Sequence, residues 1–387
     1  MAQATARTFI TPHHIIYGPD ALAEASALIA TLGSRALIVT DAMMGKLGNL
    51  ARVTDMLDGI GVAYHVYDEV NSEPVDTMVA AGVERYQQEG CDFMIALGGG
   101  SPIDTMKAIA MCVSSGRDID SFLGEGFSGP VCPMVAIPTT AGTGSEATQF
   151  AIITNTQADV KMLIAGAPLI PEVAIVDPAF TLTAPASVTS ATGLDALCHA
   201  IESYTSRKAQ PLSQTFSLSA AKRIFENLAT CVSDPGNVEA RTQMSIAATE
   251  AGIAFNNASV TIIHGMSRPI GALFHVPHGL SNAMLMEACF DFALDGAYDR
   301  FAEVARYCGL STAEDDRIAA EDLMAAIRAL LAELKVPTLE EFGVERAAFH
   351  AAIEKMASDA QASGSPANTI KPVTVEDMQA LYRKVYA

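Results

Sequence analysis

The chain has 387 residues, half of them apolar, no Trp and a formal net charge of −20. Its length predicts about two domains, and its acidic balance argues against nucleic acid or an anionic membrane surface as partner. Seven dispersed cysteines with no CxxC pair, no apolar run of about 18 residues and no signal-peptide pattern at MAQATARTFI predict a reduced, cytoplasmic protein with no membrane span.

Taken in order, residues 8–17 are rich in β-formers and end at a Gly-Pro turn signal. An amphipathic helix over about 20–32 precedes the short apolar run Ala36–Thr40, which reads as a buried parallel strand closed by Asp41. A helix through Leu50, Val53 and Leu57, a strand at Val62–Val66, a helix to about Gln88 and a strand at Phe93–Leu97 follow. This alternation predicts a parallel sheet with helices on both faces. The last of these strands runs into Gly98, Gly99, Gly100 and Ser101 ahead of a helix, where backbone N–H groups can approach a phosphate. A strand at Met134–Ile137 runs into a second small, hydroxyl-rich loop holding Thr139, Thr140 and Thr143. Loops at successive strand ends suit a cofactor crevice, because ligands of open α/β sheets sit there.

Residues 149–176 read as further β structure. Beyond about 184 helical periodicity dominates, as at Leu218, Ala221, Phe225 and Leu228. The division expected is therefore 1–184, an α/β domain, and 185–387, a helical domain. Four of the eight histidines fall between Asp195 and His278. Asp195 and His199 are four apart in a helical segment, so carboxylate and imidazole share one face. His264, His275 and His278 form a second cluster in apolar surroundings, with Gly271 read as a helix breaker between them. One carboxylate with two or three imidazoles suits a divalent transition metal, ferrous iron or zinc, although satisfied core histidines would give a similar pattern. The metal would face the cofactor across a cleft between the domains.

The motifs GGGSPIDTMKA, PTTAGTGSEAT, ATGLDALCHAIES and HGMSRPIGALFHVPHGLSNAML, in that order, resemble the iron-containing (group III) alcohol dehydrogenases over nearly the whole chain. The resemblance implies a Rossmann-like N-terminal domain and an all-helical C-terminal domain, as in dehydroquinate synthase. It implies Asp195, His199, His264 and His278 as ligands of a divalent metal, with Fe2+ expected and Zn2+ the alternative. Gly98, Gly99, Gly100 and Ser101 would hold the pyrophosphate of NAD. Thr139, Thr140 and Thr143 would lie along the cofactor, Lys161 on its nicotinamide side, and Asn71 and Leu182 nearby. Asp41 would accept from the adenosine ribose and repel a 2′-phosphate. The sequence departs from many relatives in carrying Arg268 where they carry a histidine, and His275 is the candidate replacement imidazole; both are taken as catalytic candidates. The activity implied is reversible hydride transfer between NAD and a small primary alcohol or aldehyde, in a homodimer or higher homo-oligomer. A small hydroxy acid or acidic aldehyde is the alternative substrate that Arg268 suggests. A dehydroquinate synthase-like lyase is a third reading, opposed by the scarcity of cations in the ligand segment.

Overall fold

The structure is a computed structural model and describes residues 6–158 and 160–386. The chain divides into two compact units, one spanning Ile10–Ala184 and the other running from Pro185 onward and including the segment that ends at Phe9.

In the first unit, β1 (His14–Tyr17), α1 (Ala21–Ile29), β2 (Arg35–Thr40), α2 (Ala42–Lys46), α3 (Asn49–Gly59), β3 (Ala63–Tyr67) and α4 (Asp76–Gln88) lead to β4 (Phe93–Gly98) and α5 (Gly100–Ser115). β5 (Met134–Pro138), β6 (Phe150–Asn155), β7 (Val160–Ala165) and β8 (Val173–Val176) complete it. Six strands form one parallel sheet in the order β1-β8-β5-β4-β2-β3, and β6 and β7 make a separate antiparallel hairpin. β4 and β5 are buried along their whole length, which is why they read as unbroken apolar runs. Leu37, Val39, Met94 and Ala96 point into a core shared with α4 and α5. Their neighbours Ala36, Ile38, Ile95 and Leu97 point to the other face, into a core shared with α1 and α3. Each fully buried Ile or Leu there contributes roughly 1.5–3 kcal/mol.

The second unit is helical: α6 (Ala186–Thr205), α7 (Pro211–Ser233), α8 (Val238–Ala258), α9 (Ile262–Phe274) and α10 (His278–Leu294) are followed by α11 (Tyr298–Tyr307), α12 (Asp316–Glu333), α13 (Leu339–Phe342), α14 (Arg346–Ala362) and α15 (Val375–Val385). No helix among the described residues is long and apolar enough to cross a membrane. The β-rich start differs from the strand expected over 8–17, because β1 begins only at His14. Phe9 instead stacks on Phe216 of α7 at 5.9 Å, and Gln210 Nε2 donates to the carbonyl of Thr8, so this stretch serves the helical core.

Candidate active site

The sheet topology reverses between β2 and β4. The chain steps from β2 outward to β3, then returns to the far side of β2 for β4 and continues through β5 to β8. Such a switch point is where an open α/β sheet receives a ligand. Asp41 follows β2 and the glycine run follows β4, so the two flank it. Gly98 pairs with Pro138, which sets the loop after β5 beside the glycines. Gly98 has φ 156°, and a Cβ on it would lie 2.5 Å from the Pro102 ring, so only glycine fits. A Cβ on Gly99 would contact Thr140, and one on Gly100 would press on Thr143 at 3.1 Å. The bare backbone N–H groups of Gly100 and Ser101 open α5, where an anion is favoured. Thr139 is buried and donates its N–H to the Gly98 carbonyl at 3.0 Å.

Lys107 of α5 fixes this second loop. Its ammonium is fully buried and reaches five acceptors: the Ser145, Thr148 and Phe150 carbonyls at 2.7, 2.9 and 2.9 Å, and the Ser145 and Thr148 hydroxyls at 2.9 and 3.1 Å. Asp104 accepts from Ser145 Oγ at 2.6 Å and from the Ile152 N–H at 3.0 Å. Burial pushes the Lys107 pKa down to about 8, with Asp104 and Glu146 opposing, so the ammonium stays charged at neutral pH.

Asp41 caps α2, its Oδ1 accepting from Met43 N at 2.8 Å and Met44 N at 3.2 Å. Its other oxygen carries no bond within the described residues. Lys161 lies on β7 and pairs with Glu73 at 2.5 Å. Asn71 is exposed in the loop after β3, and Leu182 lies partly buried beyond β8.

In the helical unit, Asp195, His199 and His264 bring ligand atoms within 4.8 Å of one another, all three residues buried. Asp195 and His199 sit one turn apart on α6 with His199 Nε2 3.8 Å from Asp195 Oδ1. His264 of α9 places Nε2 3.4 Å from the same oxygen. The His199 ring is stacked between Phe255 at 4.2 Å and His264 at 4.5 Å, which fixes its plane. His278 is the first residue of α10, with Nε2 3.8 Å from Asp195 Oδ1 and its side chain 39% exposed. Gly279 allows this approach, since a Cβ there would lie 2.4 Å from the Ala191 carbonyl of α6. Burial alone would raise the Asp195 pKa, but His199, His278 and His264 hold it well below the usual carboxylate range. Desolvation and the neighbouring His264, His199 and Arg268 lower the His278 pKa, with Asp195 opposing.

Two residues that the sequence reading passed over complete the cluster. Asn282, one turn after His278, directs Nδ2 at Asp195 Oδ1 (2.7 Å), His264 Nε2 (3.1 Å) and His278 Nε2 (3.3 Å), while its own Oδ1 is buried with no partner among the described residues. The amide hydrogens stand in for an electropositive species on which the acceptors converge. One carboxylate oxygen and three ring nitrogens are the donor set that a first-row divalent cation takes. Glu202 is fully buried one turn beyond His199 and accepts from Thr261 Oγ1 and Ile263 N, both at 2.7 Å, and meets His264 Nδ1. Burial opposes a charged His264, but Glu202 and Asp195 outweigh it and hold its pKa up at about 9. The α6 face that carries Asp195 and His199 continues to Glu202 at the seventh position, a helical spacing that could have marked it.

The two catalytic candidates part company. Arg268 lies one turn from His264 on the same face of α9, partly buried, and no hydrogen bond or ion pair holds its guanidinium among the described residues. Burial lowers its pKa, and Glu202 is the charge that opposes this. His275 is not brought to the cluster. α9 runs through Gly271 to Phe274 rather than breaking, because the turn folds back on that glycine: the His275 N–H donates to the Gly271 carbonyl, and a Cβ on Gly271 would sit 3.3 Å from the Val276 carbonyl. His275 is left as an exposed C-cap with φ 55°.

Residues 12–178 match the family model for iron-containing alcohol dehydrogenase, and residues 189–386 match that for the C-terminal part of the Fe-containing alcohol dehydrogenase family. The chain is 35% identical over 368 residues to a 1,3-propanediol dehydrogenase of Citrobacter freundii, covering 92% of this chain and 94% of that one. It is 35% identical over 383 residues to an NAD-dependent methanol dehydrogenase of Bacillus methanolicus, covering 97% and 98%. The crystal structure of a 1,3-propanediol oxidoreductase superimposes with a TM-score of 0.95 at 32% identity, covering 98% of this chain and all of that one. These matches define the class: an NAD- and divalent-metal-dependent oxidoreductase that moves a hydride between an alcohol or aldehyde and nicotinamide. The chain belongs to the iron-containing alcohol dehydrogenase family.

Proposed function

We propose that the enzyme interconverts a small primary alcohol and its aldehyde, with Asp195, His199, His264 and His278 holding the divalent metal. The observation that carries this reading is the convergence of Asp195 Oδ1, His264 Nε2 and His278 Nε2 on one point beside His199. A metal held there supplies Lewis acidity toward the substrate oxygen. His199 is kept in plane by Phe255 and His264. On the nucleotide side, Gly98, Gly99, Gly100 and Ser101 take the pyrophosphate, and Thr139, Thr140 and Thr143 line the same strand ends. Lys161, Asn71 and Leu182 stay as secondary cofactor contacts in this proposal. The experiment is NADH formation from short primary alcohols after loading with Fe2+ or Zn2+, alongside metal stoichiometry. No NADH at full metal and NAD occupancy counts against the reading.

Cytoplasmic residence and assembly as a homodimer or higher homo-oligomer belong to the same proposal, the former supported by seven unpaired cysteines. Sedimentation velocity tests the assembly; a monomer at micromolar concentration contradicts it.

Asp41 is proposed as the selector for NAD. Asp41→Asn keeps a capping oxygen for α2 and removes the charge, whereas Asp41→Gly removes both. Repulsion of on the order of 1–2 kcal/mol in a screened crevice implies that either change shifts the NADP/NAD ratio of kcat/KM upward by about tenfold. An unchanged ratio in Asp41→Asn excludes the carboxylate as selector.

One observation favours a second reading of the substrate: among the described residues the Arg268 guanidinium, one turn from His264, has no hydrogen-bond or ion-pair partner. A planar fork in that position suits a carboxylate or sulfonate on the substrate. Arg268→His is expected to raise KM for an acidic aldehyde by roughly tenfold or more, since charge-assisted bonds contribute about 1.5–3 kcal/mol. KM for propanal should hardly move. Equal losses on both substrates make Arg268 structural and remove the acidic-substrate reading.

A further inference from the structure

Glu202 has no role in the chemistry described so far, yet it is the most heavily committed carboxylate beside the cluster. It is fully buried, and His264 is its one ion-pair partner among the described residues. Its two oxygens do different work. Oε1 takes the Thr261 hydroxyl and the Ile263 N–H, both at 2.7 Å. Those groups stand at the opening of α9, so a side chain from α6 satisfies a helix terminus that has no side-chain cap of its own. Among the described residues Oε2 faces only His264 Nδ1. A carboxylate accepts and cannot donate. A proton of that ring therefore sits on His264 Nδ1, which leaves Nε2, 3.4 Å from Asp195 Oδ1 and 3.1 Å from Asn282 Nδ2, as the nitrogen that can ligate once it is unprotonated.

We infer that Glu202 is the positioning residue of the metal centre: one oxygen docks the start of α9 and the other fixes the tautomer in which His264 presents Nε2. The inference rests on His264 being a ligand, as proposed above. A carboxylate behind a ligating imidazole both orients the ring and raises its basicity. Had Glu202 served only as a helix cap, Oε1 alone would suffice. The second oxygen meeting the ring of a candidate ligand is what separates the two roles.

Glu202→Gln divides them experimentally. The amide has the same shape, and its oxygen can still accept from Thr261 and Ile263. Its NH2 then faces His264 Nδ1, forcing that nitrogen to accept and moving the ring proton to Nε2, where it blocks a metal. The expected result is a metal-free protein with nearly wild-type Tm, but Zn2+ or Fe2+ bound about 10–100-fold more weakly in competition with a chromophoric chelator. Thr261→Val should do the reverse, lowering Tm while leaving metal affinity close to wild type. Wild-type metal affinity in Glu202→Gln overturns the inference, as does a matching loss of metal affinity in Thr261→Val. Should Glu202→Gln not fold, the imidazole 15N spectrum of the metal-free wild type, recorded at a pH where the His264 ring is neutral, decides: the single proton on Nδ1 supports the inference and on Nε2 overturns it. Undiminished metal binding in His264→Ala would instead sink the ligand assignment itself, which is a separate failure.

Discussion

His264→Ala is expected to abolish turnover and to weaken metal binding by roughly 100-fold or more, beyond the 10–100-fold that loss of an outer partner costs. The substitution removes a nitrogen that lies 3.4 Å from Asp195 Oδ1 and 3.1 Å from Asn282 Nδ2. It also leaves the buried carboxylates Asp195 and Glu202 without the imidazole that faces both. Breaking a buried pair by deleting one partner costs about 3–5 kcal/mol, so the metal-free variant should melt earlier as well. NAD affinity should hold, because the glycine run and the Thr139–Thr143 loop belong to the other compact unit. Metal content by plasma mass spectrometry with NAD titration checks both halves. Stoichiometric metal and full activity would remove His264 from the site.

Lys107→Met is the second large expected effect, and it falls on stability and cofactor binding instead of metal. The change leaves the Ser145, Thr148 and Phe150 carbonyls without their donor and Asp104 without its neighbouring cation at 4.0 Å. A buried charge network broken on one side costs about 3–5 kcal/mol, which for a unit of this size lowers Tm by on the order of 10 °C. The loop it releases carries Thr139–Thr143, so the NAD Kd should rise together with the fall in Tm. Calorimetry and NAD titration on the metal-loaded variant test this. An unchanged NAD Kd alongside a lowered Tm would detach the loop from cofactor binding.

The sheet was legible because parallel strands are buried on both faces: Ala36–Thr40, Phe93–Leu97 and Met134–Ile137 read as apolar runs and became β2, β4 and β5. Phe9 misled, since an apolar residue near a strand signals burial but not against which core, and its partner is Phe216. Gly271 misled for a related reason. A glycine inside a helix can mark a close backbone approach as well as a break, and here the Val276 carbonyl comes over it. Asp195, His199, His264 and His278 stand out by residue type and spacing. Glu202 and Asn282 were harder: Glu202 shares the helical spacing of Asp195 and His199, but the partners that give the two residues their roles lie 62 and 87 residues away.

The most direct test of the central assignment is anomalous scattering from crystals of the Fe2+- or Zn2+-loaded enzyme, recorded on both sides of the metal's absorption edge. The expected result is one strong peak about 2.0–2.2 Å from an Asp195 carboxylate oxygen and from Nε2 of His199, His264 and His278. A peak elsewhere, with these four side chains unliganded, would contradict it.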